Sequence, residues 1–267
     1  MNPVHFVIAI VVIFTTVAGV RYYRRKQFDN QPFPEAWSAV LHKNIPIYSS
    51  LPDALQVQLQ RLVKVFIRDK KFYGCDGLII TDEIRVTIAG EACLLILNRP
   101  TNDFYQLYYI LVYPSSFIAS RKEHGADGVV SQKATGLLGE SWSQGKVILS
   151  WDDVIKGAKD FSDGQNVVLH EFAHQLDQES GSTNGAPLLG AASSYQRWTC
   201  VLSKEYQRLQ GGRKGVIDQY GATNPAEFFA VVTETFFERP VQLKTKHPAL
   251  FEEMKSFYAV DPSDWIS

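Results

Sequence analysis

With 267 residues, 45% of them hydrophobic, the chain is long enough for one enzyme-sized domain with its own core, or one domain plus a small appendage. Its 27 Lys and Arg against 28 Asp and Glu leave a net charge of −1, which gives no reason to expect direct binding of nucleic acid. Cys75, Cys93 and Cys200 are far apart and odd in number, so they form neither a disulfide framework nor a cysteine-based zinc site, and they suit a reducing compartment.

The first element is apolar. Phe6–Val20 reads FVIAIVVIFTTVAGV, without a charge, and Arg21, Arg24, Arg25 and Lys26 follow it. Counted from Pro3 the run has 18 residues. At roughly 1.5 Å per residue that is about 27 Å of helix, which predicts one transmembrane helix meeting the lipid bilayer through residues 3–20. A cleaved signal peptide would carry its basic residues ahead of the apolar run, and none stand there. Four cations just past the span favour the cytoplasmic side. The expectation is therefore a single-pass inner-membrane anchor over residues 1–26, with the remaining chain in the cytoplasm. The competing reading is a core or interfacial helix.

Residues 27–35 (QFDNQPFPE) form a short polar linker bearing proline. Across residues 52–70, Leu55, Leu59, Leu62, Val63 and Phe66 recur at helical spacing, and residues 81–97 predict a second helix. Residues 104–113 are aromatic-rich and β-like. Residues 141–150 read as two strands turned at Gln144-Gly145, with 139–150 offering an edge for an extended peptide. Residues 180–192 are rich in Gly and Ser, with Gly181, Gly185 and Gly190 permitting movement. Helices are expected over 193–210 and 247–258, and no internal repeat or low-complexity tract is present.

The most informative stretch is His170-Glu171-Phe172-Ala173-His174, an H-E-x-x-H sequence inside a segment of helical pattern. Residues four apart share a helix face, so both imidazoles can reach one metal ion while Glu171, on the adjacent edge, holds a water. Two neutral His ligands and a carboxylate base are the arrangement of zinc hydrolases, with a third ligand from elsewhere. The competing reading is an amphipathic helix that packs Val167, Leu169, Phe172, Ala173 and Leu176 and leaves two surface His beside a Glu.

The third ligand discriminates among zinc sites. A metzincin needs Gly seven residues after the first His and His or Asp ten after it, but Asp177 and Ser180 stand there. The gluzincin alternative needs a Glu on a second helix, and residues 224–237 supply one. Asn224 is a helix cap, Pro225 a first helical residue, and Glu227 and Glu234 share one face two turns apart. Two carboxylates on an otherwise apolar helix are costly to bury unless a cation or hydrogen-bond donors receive them. Glu227 could instead close a capping box. Glu234 suits a residue that orients a His ligand from behind, and Asp177 suits either that role or the helix end.

The run from His170 to Asp177, together with Ile217–Val231, resembles the Mlc titration factor A family of bacterial zinc-dependent peptidases, whose catalytic core is similar to that of anthrax lethal factor. Lys71-Phe72, Gly77-Leu78, Ile88-Ala89, Tyr113-Pro114, Gly139-Glu140-Ser141-Trp142, Leu149-Ser150-Trp151 and His247-Pro248 match the same family in order, so the likeness covers roughly residues 35–262. It implies one Zn2+ on His170, His174 and Glu227, with Glu171 as general base and Tyr220 as a hydrogen-bond donor to the oxyanion. A phenol opposite the metal has physical sense, since peptide hydrolysis passes through an oxyanion; a Tyr packed against the loop entering the helix is the alternative. The implied fold is an α+β, zincin-like (gluzincin) domain over residues 36–267, acting on a peptide or protein substrate. The leading expectation is thus a zinc-dependent peptidase; the resemblance also implies binding to a glucose-responsive transcriptional repressor, and the alternative is a regulatory protein that sequesters this partner, with peptidase activity secondary.

Overall fold

Short caps and periodic apolar residues divide the chain into a series of helices around one small sheet. The structure is a computed structural model, and it describes residues 12–265 apart from 14, 17–18, 21–22, 24–25, 29, 100–103, 116–122, 125–129, 132–144, 190 and 213–214. Helices α1 (Glu35–Asn44), α2 (Pro46–Ser50) and α3 (Asp53–Asp69) precede strand β1 (Lys71–Gly74). Helix α3 is the one predicted over 52–70, and it buries Leu59, Val63 and Phe66. Helix α4 (Asp82–Leu94) starts at Thr81, whose hydroxyl accepts the Ile84 N–H at 3.3 Å. It buries nearly its whole length, Glu91 included.

Strand β2 (Tyr109–Tyr113) follows, then a two-residue antiparallel pair, β3 (Glu123–His124) with β4 (Val130–Ser131), then β5 (Lys146–Ser150). The three longer strands are all parallel, in the order β1-β2-β5, with Lys71 opposite Tyr109 and Tyr109 opposite Lys146. Alternation puts Ile110, Val112, Val147 and Leu149 into the core. Ser150 ends β5 and caps α5 (Trp151–Lys159) without an intervening loop, its hydroxyl accepting the Asp153 N–H at 3.3 Å.

Helices α6 (Val167–Gln178) and α7 (Ala192–Gln210), a 3-10 turn at Gln219–Ala222, α8 (Pro225–Glu238), α9 (Pro240–Lys246), α10 (Pro248–Tyr258) and a last 3-10 turn at Pro262–Trp265 complete the order. Helix α8 is the spine of this half. It is buried on all sides, as a core helix is, and encloses Phe228, Phe229, Val231, Val232, Phe236 and Phe237 together with Glu227, Glu234 and Glu238. Its two threonines turn inward without leaving polar atoms unmet: Thr233 donates to the Phe229 carbonyl and pairs with the Tyr258 hydroxyl at 2.7 Å, and Thr235 donates to the Val231 carbonyl. Rings of α10 lock against it, with Phe236 stacked on Tyr258 at 5.7 Å and tilted against Phe251 at 5.3 Å.

The expected α+β class with an N-terminal transmembrane helix is corrected on both counts. Among the described residues the chain is mostly helical, with a small three-stranded sheet and one two-residue strand pair. The aromatic run from 104 contributes only five strand residues, because Phe104 sits at a φ of 60° in a turn. The anticipated hairpin over 141–150 reduces, among the described residues, to β5, whose partner is the distant β2 rather than an adjacent strand; residues 141–144 lie outside the described residues.

Among the described residues no helix is long and apolar enough to cross a membrane. The single-pass inner-membrane placement with a cytoplasmic catalytic domain loses its basis with that span. Even counted from Pro3, the apolar run amounts to about 27 Å as helix, short of a hydrocarbon layer of about 30 Å. Much of residues 3–20, and Arg21, Arg24 and Arg25, lie outside the described residues. The expected linker packs on the domain: residues 26–28 and 30 are helical, and the Lys64 ammonium donates to the Gln31 carbonyl while lying 5.2 Å from the Phe28 ring.

Phe236→Ala tests the anchoring of α8. Removing a fully buried ring held by three aromatic neighbours should destabilise the protein by about 3–5 kcal/mol, read as a lower urea midpoint at unchanged slope.

Candidate metal centre

The site lies where α6 and α8 cross. Helix α6 begins at Asn166, whose Oδ1 accepts the Leu169 N–H at 2.9 Å. Its inward face packs Phe172 against Phe66 at 5.7 Å and against Phe104 at 5.0 Å. That packing turns His170 and His174, one turn apart, toward α8, with ring centroids 4.9 Å apart. Helix α8 begins at Asn224, whose Oδ1 accepts the Glu227 N–H at 2.9 Å. The Glu227 backbone thus completes the cap, while its carboxylate points across to α6.

Three donor atoms converge. Glu227 Oε2 lies 3.0 Å from His170 Nε2 and 3.6 Å from His174 Nε2, and the two imidazole nitrogens are 3.2 Å apart. Among the described residues this is the group of His, Cys, Asp or Glu side chains that can share one metal ion, with all ligand atoms within 4.8 Å of one another. Two imidazole nitrogens and one carboxylate oxygen are a donor set that suits zinc.

The electrostatics fit a cation. His174 is fully buried, and burial lowers its pKa, outweighing the pull of Glu227, so it stays neutral as a metal ligand must. For His170, burial acts downward, but hydrogen bonds to Glu227 and Glu234 prevail and raise it to about 10. Burial pushes Glu227 up, yet the two imidazoles hold it at about 2. Glu227 and Glu234, one at each ring nitrogen, thus favour positive charge at His170, where a cation would sit.

Glu234 stands behind His170. Its Oε1 pairs with His170 Nδ1 at 2.7 Å, and its Oε2 accepts the Asn166 backbone N–H at 2.6 Å. Burial raises its pKa despite the imidazole. Glu171 is 1% exposed and close enough to act electrostatically on both His170 and Tyr220. Tyr220 comes from the 3-10 turn that Asp218 caps, and its ring lies 6.1 Å from that of His170. At 55% exposed, its phenol borders the open side of the site; burial first and then Glu227 raise its pKa. Beside His170 opens a cleft of about 360 Å³ lined by Lys156, Gln165, Asp218, Tyr220 and Glu234.

Asp177 lies one turn beyond His174, and its Oδ2 accepts the Gly185 N–H at 2.7 Å. Burial raises its carboxyl to about 6, opposed by the backbone N–H groups of Gly185, Ala186 and Asn184. The loop expected to be free to move is therefore tied at Gly185. The carbonyl of Gly185 accepts the Trp198 indole N–H at 2.9 Å, its φ is +78°, and an added Cβ would come within 2.4 Å of the Pro225 carbonyl.

Sequence reasoning missed Asn166 and Glu91. The first carried a signal, an Asn directly before the apolar run of α6. The second is one carboxyl in an apolar helix, and nothing near it in sequence marks its partner.

Two helices that hold a His-x-x-x-His pair opposite a carboxylate, with a second Glu beside the pair, are the frame of a metallopeptidase. The chain belongs to the glucose-regulated metallo-peptidase M90 family, whose profile matches residues 20–259. It is similar to Mlc titration factor A of Cronobacter sakazakii, 32% identical over 236 residues, covering 86% of this chain and 87% of the relative. Mlc titration factor A of Yersinia pestis is also 32% identical, over 226 residues, covering 82% and 83%. An uncharacterised protein of Synechocystis is 41% identical over 246 residues, covering 90% and 89%.

The cap that carries Glu227 is testable. Asn224→Ala should cost about 1 kcal/mol of stability, read by urea unfolding, and a larger share of that loss should appear in metal-free protein than in metal-loaded protein if Glu227 is then held from its other end.

Proposed function

We propose that the protein is a zinc peptidase of gluzincin type, with His170, His174 and Glu227 holding the metal and Glu171 acting as general base. The observation that carries this reading is the convergence of His170 Nε2, His174 Nε2 and Glu227 Oε2 beside the buried Glu171. When bound, the zinc supplies a Lewis acid that polarises the scissile carbonyl and acidifies water.

The remaining work falls to side chains. Glu171 takes a proton from the attacking water and passes it to the leaving amine. Enclosure at 1% exposure keeps bulk water from competing for that carboxylate. Tyr220, at the rim, donates its phenol proton toward the oxyanion, and its raised pKa keeps the phenol protonated at neutral pH. Glu234 holds His170 through Nδ1, so that Nε2 faces Glu227. The cleft between His170, Lys156 and Tyr220 receives the substrate chain.

A second reading is favoured by the names of two relatives, Mlc titration factor A. In it the chain titrates a transcriptional repressor by binding, and hydrolysis is secondary. Such binding has no use for Glu171, so the two readings separate at that residue.

Glu171→Gln should retain zinc and lose at least about a hundredfold in peptide turnover, the usual contribution of a general base. Wild-type turnover in that variant would remove Glu171 from the mechanism, and loss of repressor binding would tie the two activities together. Zinc content separates the carboxylates of α8. Glu227→Ala should empty the site, while Glu234→Ala should retain metal and fall about 10–100-fold in activity; the reverse pattern would exchange their roles.

A further inference from the structure

Behind His170 the hydrogen bonds continue inward. Glu234 pairs with His170 Nδ1 and accepts the Asn166 backbone N–H. The Asn166 side chain then faces two ways: Oδ1 accepts the Leu169 N–H, and Nδ2 donates to Glu91 Oε1 at 2.6 Å. Asn166 is 1% exposed and Glu91 is fully enclosed. A cap alone explains only Oδ1, and Ser would serve as well there. What requires an amide is the second contact, a donor aimed at a buried carboxyl on α4.

Other elements enclose the same residue. Gly157 of α5 lies so close that a Cβ there would be 3.1 Å from Asn166 Cα and 3.3 Å from Asn166 Nδ2. Thus α4, α5 and α8 all place groups against the cap residue of the helix that carries His170 and His174. Burial drives the Glu91 carboxyl up to about 8, so it accepts the amide proton as a neutral group and needs no cation.

We propose that Asn166 is a positioning residue for His170: Glu91 fixes its amide, and its backbone fixes Glu234, which holds the imidazole ring. The inference rests on His170 serving the metal centre proposed above. Loss of the Glu91–Asn166 contact lets the start of α6 and Glu234 shift together, so the imidazole loses its set orientation.

Three variants test it. Asn166→Ser keeps a helix cap but cannot reach Glu91. Glu91→Met keeps size and removes the acceptor. Glu91→Gln keeps the acceptor oxygen and serves as the conservative rescue. The first readout is the His170 Nδ1–H proton in metal-free protein by NMR, assigned by its loss in His170→Gln. The second is the zinc dissociation constant, by competition with a chelator.

A slowly exchanging proton is expected in wild type and Glu91→Gln, and a broadened one in Asn166→Ser and Glu91→Met, together with about tenfold weaker zinc binding. A sharp proton and wild-type zinc affinity in those two folded variants would overturn the proposal, as would no such proton in wild type. If both variants fail to fold, Gly157→Ala, which pushes one methyl against Asn166, is read in the same way and should show the same broadening. Should wild type hydrolyse no peptide while the proton pattern holds, the peptidase reading fails and the positioning role stands. Should Glu171→Gln behave as expected while these variants match wild type, the positioning role alone fails.

Discussion

Negative charge buried between α6 and α8 is the constraint on which the rest of the site depends. Glu227 and Glu234 are 8% and 7% exposed on a helix whose other residues, apart from Pro225 and Glu238, are Phe, Val, Ala and Thr. In such surroundings an unmatched carboxylate is expensive, and a matched one is held hard. Both find the same imidazole, one at each ring nitrogen of His170. This pairing links α8 to α6 across their crossing. It also makes the centre of the pocket a place that favours positive charge.

Packing supplies the stiffness that this electrostatics requires. The rings of Phe236, Phe237, Phe251 and Tyr258 hold α8 from the outer side. Phe66, Phe104 and Phe172 hold α6 from the other. Asp177 holds Gly185, whose backbone passes close to Pro225, the first residue of α8.

Local chemistry made much of this readable from residues alone. The H-E-x-x-H spacing, the Asn224-Pro225 start and the seven-residue interval between Glu227 and Glu234 are short-range patterns, and the structure brings His170, His174, Glu227 and Glu234 together. The sequence offers Asp177 two uses, orienting a His ligand or ending the helix, and its hydrogen bond goes to the loop at Gly185. Long-range partners were not readable. Glu91 and Asn166 stand 75 residues apart, and no periodicity links them. Gln144-Gly145 has the chemistry of a hairpin turn, yet β5 pairs with the distant β2, because a parallel neighbour leaves no local signature. The apolar N-terminal run has the composition and flanking cations of a span, yet no helix among the described residues is long and apolar enough to cross a membrane.

The order of the elements along the chain has a consequence for synthesis. His170, Glu171 and His174 leave the ribosome well before Glu227 and Glu234, which come from a helix ending at Glu238. A nascent chain that stops short of α8 has the histidine pair without the carboxylates opposite it, and α6 without the surface on which its core face rests. Domains form as units once their last core element is available. The His170/His174 pair and the Glu227 carboxylate can thus come together only after the segment that completes the core has emerged.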